Sequence, residues 1–310
     1  MNVQRTSSNP SPPTSTSPVV PDDPVPERRV GGHLLGCGPM PQETGPFAGT
    51  APYYSEFRPS YPTSIFDLLT VEAPLEATSR VLDWGCGTGL LTLTLAERVA
   101  SVTGVDPDQG MLDEAARLAS KRSQHNIRWV LSTAERFDHE PGGYRLVVIG
   151  SAFQWMDRPV VAAKGHELLE HEGLFAVMGN PSPLMQIQPG GDRLEREDVG
   201  MAVAAAVAAI QDRWFDPKEH SERTRTLTRH EEVIGASPFG IATLLSVPTR
   251  QEWDIRSLVG FLRSTSLRPD QVLGGRFHEF ADEVEQAVLS IEPTGRWVYE
   301  NSVEVILARR

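Results

Sequence analysis

The sequence predicts an α/β fold in which a mostly parallel sheet carries helices on both faces. Three observations lead there. Between residues 80 and 178, apolar segments and amphipathic segments alternate as βαβαβ. The first apolar segment ends in a carboxylate and three alternating glycines, Asp83-Trp84-Gly85-Cys86-Gly87-Thr88-Gly89. The second ends in another acidic residue, Asp106.

The elements follow in order. Residues 1–30 are rich in Pro, Ser and Thr and contain no Leu, Ile or aromatic residue, so residues 1–45 read as a disordered tail. Order is expected from about Ala51, and Ile65, Phe66, Leu68 and Leu69 fit the buried face of a leading helix. Arg80–Trp84, Ser101–Val105, Ile127–Leu131, Arg145–Ile149 and Leu174–Met178 read as strands. Helices are expected over Leu90–Ala100, after a cap at Asp108, and from a cap at Asp157 to Leu169. Beyond Asn180 the alternation breaks. Residues 181–238 read as an inserted cap with a helix over Val199–Trp214. A strand at Ile241–Val247, helices at Ile255–Arg263 and Phe277–Leu289, and a strand at Trp297–Leu307 complete a domain spanning 46–310.

The glycine turn predicts a ligand. Glycine is needed where backbone takes positive φ or passes close to a bound molecule, and a helix N-terminus after a strand suits a nucleoside cofactor. The dinucleotide fingerprint G-x-G-x-x-G would place its third glycine, counted from Gly85, at Leu90. That departure argues against an NAD-dependent oxidoreductase. Asp106 is placed to accept both hydroxyl hydrogens of a ribose, because an ionised carboxylate is acceptor-only. Asp83 organises the turn.

Composition narrows the partners. The net charge of −12 argues against a nucleic-acid partner and favours a cationic substrate. Two cysteines, Cys37 and Cys86, give no disulfide framework and fit a cytoplasmic protein. No apolar run approaches the roughly 20 residues of a membrane span, and no cluster of residues has metal-ligand spacing.

The pattern D-x-G-x-G-x-G, with Asp106 downstream, resembles motif I of the class I S-adenosylmethionine (SAM) methyltransferases. Two further stretches strengthen the likeness. Ser151-Ala152-Phe153-Gln154-Trp155-Met156-Asp157 is similar to the A-F-H-W-F-D stretch of small-molecule enzymes akin to trans-aconitate methyltransferase, with Gln154 in place of His. Tyr54-Ser55-Glu56-Phe57-Arg58-Pro59-Ser60-Tyr61-Pro62 resembles the Y-x-x-x-R-P-x-Y-P lead of the same family. Segments near His230, Pro238 and Leu258–Ser266 resemble its distal half.

The resemblance implies a Rossmann-like, seven-stranded sheet and SAM as cofactor. It places Asp83, Gly85, Gly87, Gly89, Asp106, Pro107 and Met111 around the cofactor. It puts Thr133, Ala134 and Glu135 beside the adenine edge and Ser151 after the fourth strand. Arg58 and Tyr54 would close over the methionine end, with Arg58 forking onto its carboxylate. The implied reaction is in-line methyl transfer to nitrogen or oxygen of a small molecule. Such a reaction asks the protein mainly for positioning, which is worth roughly 7–11 kcal/mol. Candidate bases are Tyr54, Asp157, His166 and His230, none singled out by spacing. An amine or amino sugar of secondary metabolism, as in antibiotic biosynthesis, is the favoured acceptor. A carboxylate acceptor and a non-catalytic SAM-binding protein are the alternatives.

Overall fold

In the computed structural model, β1 (Arg80–Trp84) sits at the centre of a seven-stranded sheet of order β3-β2-β1-β4-β5-β7-β6. Its position follows from its side chains. Val81 enters the core on one face and Leu82 and Trp84 the core on the other, all fully buried. β2 (Ser101–Asp106) and β4 (Tyr144–Gly150) pair parallel on either side, with Val81 opposite Val102 and Leu146. β3 (Ile127–Leu131) lies outside β2, and β5 (Leu169–Met178) beyond β4. β7 (Arg296–Arg309) runs antiparallel to β5, and β6 (Thr243–Asp254) antiparallel to β7 at the edge. The strand order reverses between β2 and β4, so the carboxyl end of β1 is a topological switch point where ligands bind.

The structure describes residues 45–138, 141–179, 199–215 and 228–310, which belong to one compact unit. The expected tail, except for its last residue, and much of the expected 181–238 insertion lie outside them, as does Cys37. No helix among the described residues is long and apolar enough to cross a membrane.

The leading segment forms two helices, α1 (Ala51–Phe57) and α2 (Thr63–Glu72). α2 buries Ile65, Phe66 and Leu69, as its apolar spacing predicts. The helix expected over Leu90–Ala100 is cut to a single turn, α3 (Thr92–Leu95). Carbonyls in and after that turn accept side-chain donors from the loop before β3. Gln124 Nε2 donates to Leu93 O at 2.7 Å, and Asn126 Nδ2 donates to Ala96 O and Val99 O at 2.8 and 3.1 Å. α4 (Gln109–Lys121) starts at Asp108, whose carboxylate accepts the Met111 N–H at 3.1 Å. α5 (Arg158–Leu168) starts at Asp157, which accepts from Val160 N–H.

A third core lies beyond the main sheet. β5 reaches only the last residues of β7, so residues 296–304 of β7 pair with β6 alone. α6 (Val199–Trp214), α7 (His230–Gly235), α8 (Ile255–Arg263), α9 (Pro269–Leu273) and α10 (Phe277–Ile291) are the remaining α-helices among the described residues. Of these, α6, α8 and α10 pack Val207, Phe261 and Phe280 against Trp253, Trp297 and Tyr299 of that two-stranded ribbon. The β6 strand is longer than expected because Pro248 does not stop it: an edge strand tolerates a residue without an N–H.

Candidate cofactor and active site

The site assembles where β1, β2, β3 and β4 end. Gly85 and Cys86 both donate backbone N–H groups to Val105 O, at 2.8 and 3.1 Å, which folds the turn against β2. Gly85 has a φ of +70° and would overlap Ala152 if it carried a Cβ. Glycine is therefore required there twice over. Gly87 and Gly89 also take positive φ, +53° and +85°. Trp129, on β3, covers Gly89 and Gly104 and keeps the turn flat against the sheet.

Asp106 ends β2 and is 8% exposed. Its Oδ2 accepts the Gly87 N–H and its Oδ1 the Asp108 N–H, both at 2.9 Å. Burial pushes its carboxyl up to about 6, against the lowering effect of those two N–H groups. Asp83 is 1% exposed. Its Oδ2 accepts the Thr92 hydroxyl at 2.5 Å, while Oδ1 is buried with no partner. Burial raises this carboxyl to about 7, partly offset by Thr92 and reinforced by Asp106. An orphaned buried oxygen is costly unless a ligand completes it. Thr88 Oγ1, in the same turn, is likewise buried without a partner.

A cleft partly open to solvent is lined by Tyr54, Tyr61, Asp83, Gly85, Cys86, Leu90, Leu91 and Gly150. Tyr61, from the Arg58-Pro59-Ser60-Tyr61-Pro62 stretch, also lines this cleft. Burial holds its phenol far above its ordinary range, so it stands protonated at the cleft wall. Arg58 is buried behind the two tyrosines, its guanidinium carbon 4.7 Å from the Tyr54 ring centroid and 4.6 Å from that of Phe261. Burial lowers its pKa, against the raising influence of Tyr54 and Tyr61. Phe47 meets Tyr54 and Trp155 edge to face, at 6.1 and 5.8 Å between centroids. Neither the composition nor the motif pattern pointed to Phe47.

The other expected residues divide. Met111 is buried on the first turns of α4, and Pro107 is exposed after Asp106. Ser151, with φ of +53°, follows β4 and donates its N–H to Met178 O at 2.8 Å. Ala134 is buried in the core, and Thr133 Oγ1 accepts the Arg136 N–H at 3.3 Å. Glu135 Oε1 accepts the Asp157 N–H at 2.8 Å, tying the loop after β3 to the start of α5. Of the four candidate bases, Tyr54 alone lines the cleft; Asp157, His166 and His230 do not. His166 packs edge to face on Phe239, and His230 on Phe153 with Arg158 Nη1 at 3.2 Å. Gln154 is turned onto its own loop, donating to Ser151 O at 2.9 Å.

Sheet order and site together define the class I methyltransferase architecture. Residues 81–173 match the methyltransferase domain family, so the resemblance read from the sequence stands. An uncharacterised methyltransferase of Mycobacterium tuberculosis is 36% identical over 111 residues, 36% of this chain and 42% of that protein. The chain thus spans less than half the length of that relative; a Dictyostelium discoideum relative is likewise covered over only 47% of its length. Trans-aconitate 2-methyltransferase of Variovorax paradoxus is 27% identical over 207 residues, 65% of this chain and 73% of that protein. Among solved structures, one described as a type II methyltransferase of Anaeromyxobacter dehalogenans superposes with a TM-score of 0.52 at 20% identity. It covers 82% of this chain and 97% of that one. This likeness supports the fold.

Proposed function

We propose that the protein is a SAM-dependent methyltransferase acting on a small molecule. The observation that carries this reading is the pairing of the glycine turn with two buried carboxylates, one of which keeps an oxygen without a partner. SAM fits the donor and acceptor set. Asp106 has lone pairs left for ribose hydroxyls. Asp83 Oδ1 is an acceptor for the ammonium of the methionine end. Arg58 is a buried cation for its carboxylate, and the rings of Tyr54 and Tyr61 line the cleft.

Bound SAM supplies a methyl group already attached to a good leaving group. The chain's own residues orient it, exclude water and hold the acceptor in line. Tyr54 is the one candidate base in the cleft, placed to take or relay the proton of an acceptor N–H or O–H. In this reading residues 46–310 are the catalytic domain, with 181–238 as its cap and 1–45 as a tail.

The acceptor is a small molecule methylated at nitrogen or oxygen. The net charge of −12 favours an amine or amino sugar, of the kind met in secondary metabolism, handled in the cytoplasm without nucleic acid or membrane. A second reading, a carboxylate acceptor, is favoured by the likeness to trans-aconitate 2-methyltransferase. Incubation with SAM and panels of amines, amino sugars and polycarboxylic acids tests both. Acceptor-dependent S-adenosylhomocysteine release with the amine panel supports the first reading. Release with the acids supports the second, and binding without release from any acceptor points to a non-catalytic SAM-binding protein.

A further inference from the structure

The stretch Leu258–Ser266 resembles the distal half of the methyltransferase family but has no part in the site as described so far. Its buried hydroxyl, Ser264, meets Arg58 across 206 residues of sequence. Arg58 Nε donates to Ser264 Oγ at 2.8 Å and Nη2 to Ser264 O at 3.0 Å. Ser264 Oγ in turn donates to Phe261 O at 2.6 Å. The direction of the hydroxyl is therefore fixed: it gives its hydrogen to α8 and its lone pair to Arg58.

Among the described residues no carboxylate pairs with Arg58, and its Nη1 takes no protein acceptor. The clamp is complete in geometry and leaves the charge uncompensated. Two rings stack on the guanidinium plane, and a neutral serine holds one edge. A carboxylate in place of Ser264 would neutralise the cation; a hydroxyl orients it and leaves it positive. An oriented guanidinium with a free edge is built for a bidentate anion.

We propose that Ser264 is a positioning residue, which aims the free edge of Arg58 at the carboxylate of the cofactor's amino-acid end and so makes cofactor affinity depend on α8. This rests on the SAM reading above. Ser264 touches no reacting atom and acts only through Arg58.

The test compares two ligands on the intact protein by calorimetry. S-adenosylhomocysteine carries the amino-acid end; 5′-methylthioadenosine lacks it. Ser264→Ala is expected to weaken S-adenosylhomocysteine binding by about tenfold, the scale of one hydrogen bond to a charged group, and to leave 5′-methylthioadenosine unchanged. Ser264→Thr, which keeps the hydroxyl, should restore most of the loss, and Arg58→Met should lose more than Ser264→Ala. If the alanine variant does not fold, Ser264→Cys, close in size and a poor acceptor, gives the same comparison. Equal loss for both ligands, or no loss for either, overturns the proposal and leaves the cofactor reading standing. A wild-type protein that binds neither ligand overturns the cofactor reading, and the proposal with it.

Discussion

Asp106 holds the middle glycine of the β1 turn: its Oδ2 accepts the Gly87 N–H at 2.9 Å. The carboxylate at the end of β2 and the glycine turn after β1 are thereby one unit. An ionised carboxylate offers about four lone-pair sites, and Asp108 N–H occupies one more of them. Capacity remains for ribose hydroxyls.

Asp106→Ala is expected to weaken SAM binding by about 2–4 kcal/mol, through lost hydrogen bonds to a charged acceptor. Asp106→Asn, which keeps one acceptor oxygen, should lose less. Calorimetric titration with SAM checks both, and equal affinity for wild type and Asp106→Ala would remove the ribose assignment.

Cofactor affinity and ligand-free stability should respond to pH in opposite directions. Burial raises Asp83 to about 7 and Asp106 to about 6, above the 3.8 of a free carboxyl. A raised carboxyl favours the folded state most at low pH, so this contribution is lost as pH climbs from about 4 to 7. Binding an ammonium needs the ionised Asp83, so affinity for S-adenosylhomocysteine should rise between about pH 5.5 and 8. Melting temperatures and titrations across that window measure the two slopes, and Asp83→Asn should flatten the affinity slope. Parallel slopes would refute the assignment of Asp83 to the cofactor's amine end.

Gly85→Ala should damage the turn from two directions. A left-handed φ costs an L-residue roughly 1–2 kcal/mol, and the new methyl overlaps Ala152. Overpacking of that kind costs typically about 1–3 kcal/mol. The expected result is a lower melting temperature with cofactor binding lost. A variant as stable as wild type would mean that the turn can relax without cost.

Gly260 on α8 lies against the Phe57 ring of α1, and a Cβ there would overlap it. Gly260→Ala is expected to push the two helices apart and destabilise the fold by about 1–3 kcal/mol. Because α1 carries Tyr54 and leads into Arg58, S-adenosylhomocysteine affinity should fall with it. Denaturant unfolding and titration of one sample test the coupling; stability lost with affinity intact would uncouple α1 from the cofactor.

Much of this arrangement was legible in the sequence, for local reasons. The buried pattern of β1, the glycines after it and the caps at Asp108 and Asp157 are each encoded within a few residues. The failures came where distant groups intervene. The segment Leu90–Ala100 has helical composition, yet Gln124 and Asn126 take its carbonyls from another loop. The strand expected at Ile241–Val247 runs on through Pro248 to Asp254 because its edge position, which tolerates proline, is a property of the sheet. The Arg58–Ser264 contact joins positions with no shared local pattern. Asp157, His166 and His230 had suitable chemistry, but the fold directs them to helix capping and ring packing, outside the cleft.

The most direct test of the central claim is calorimetric titration of the wild-type protein with S-adenosylhomocysteine, with NADH as the competing ligand. A cofactor cradled by the β1 turn predicts saturable one-to-one binding of S-adenosylhomocysteine, absent in Gly85→Ala and indifferent to NADH. No binding of S-adenosylhomocysteine, or its displacement by NADH, would contradict it.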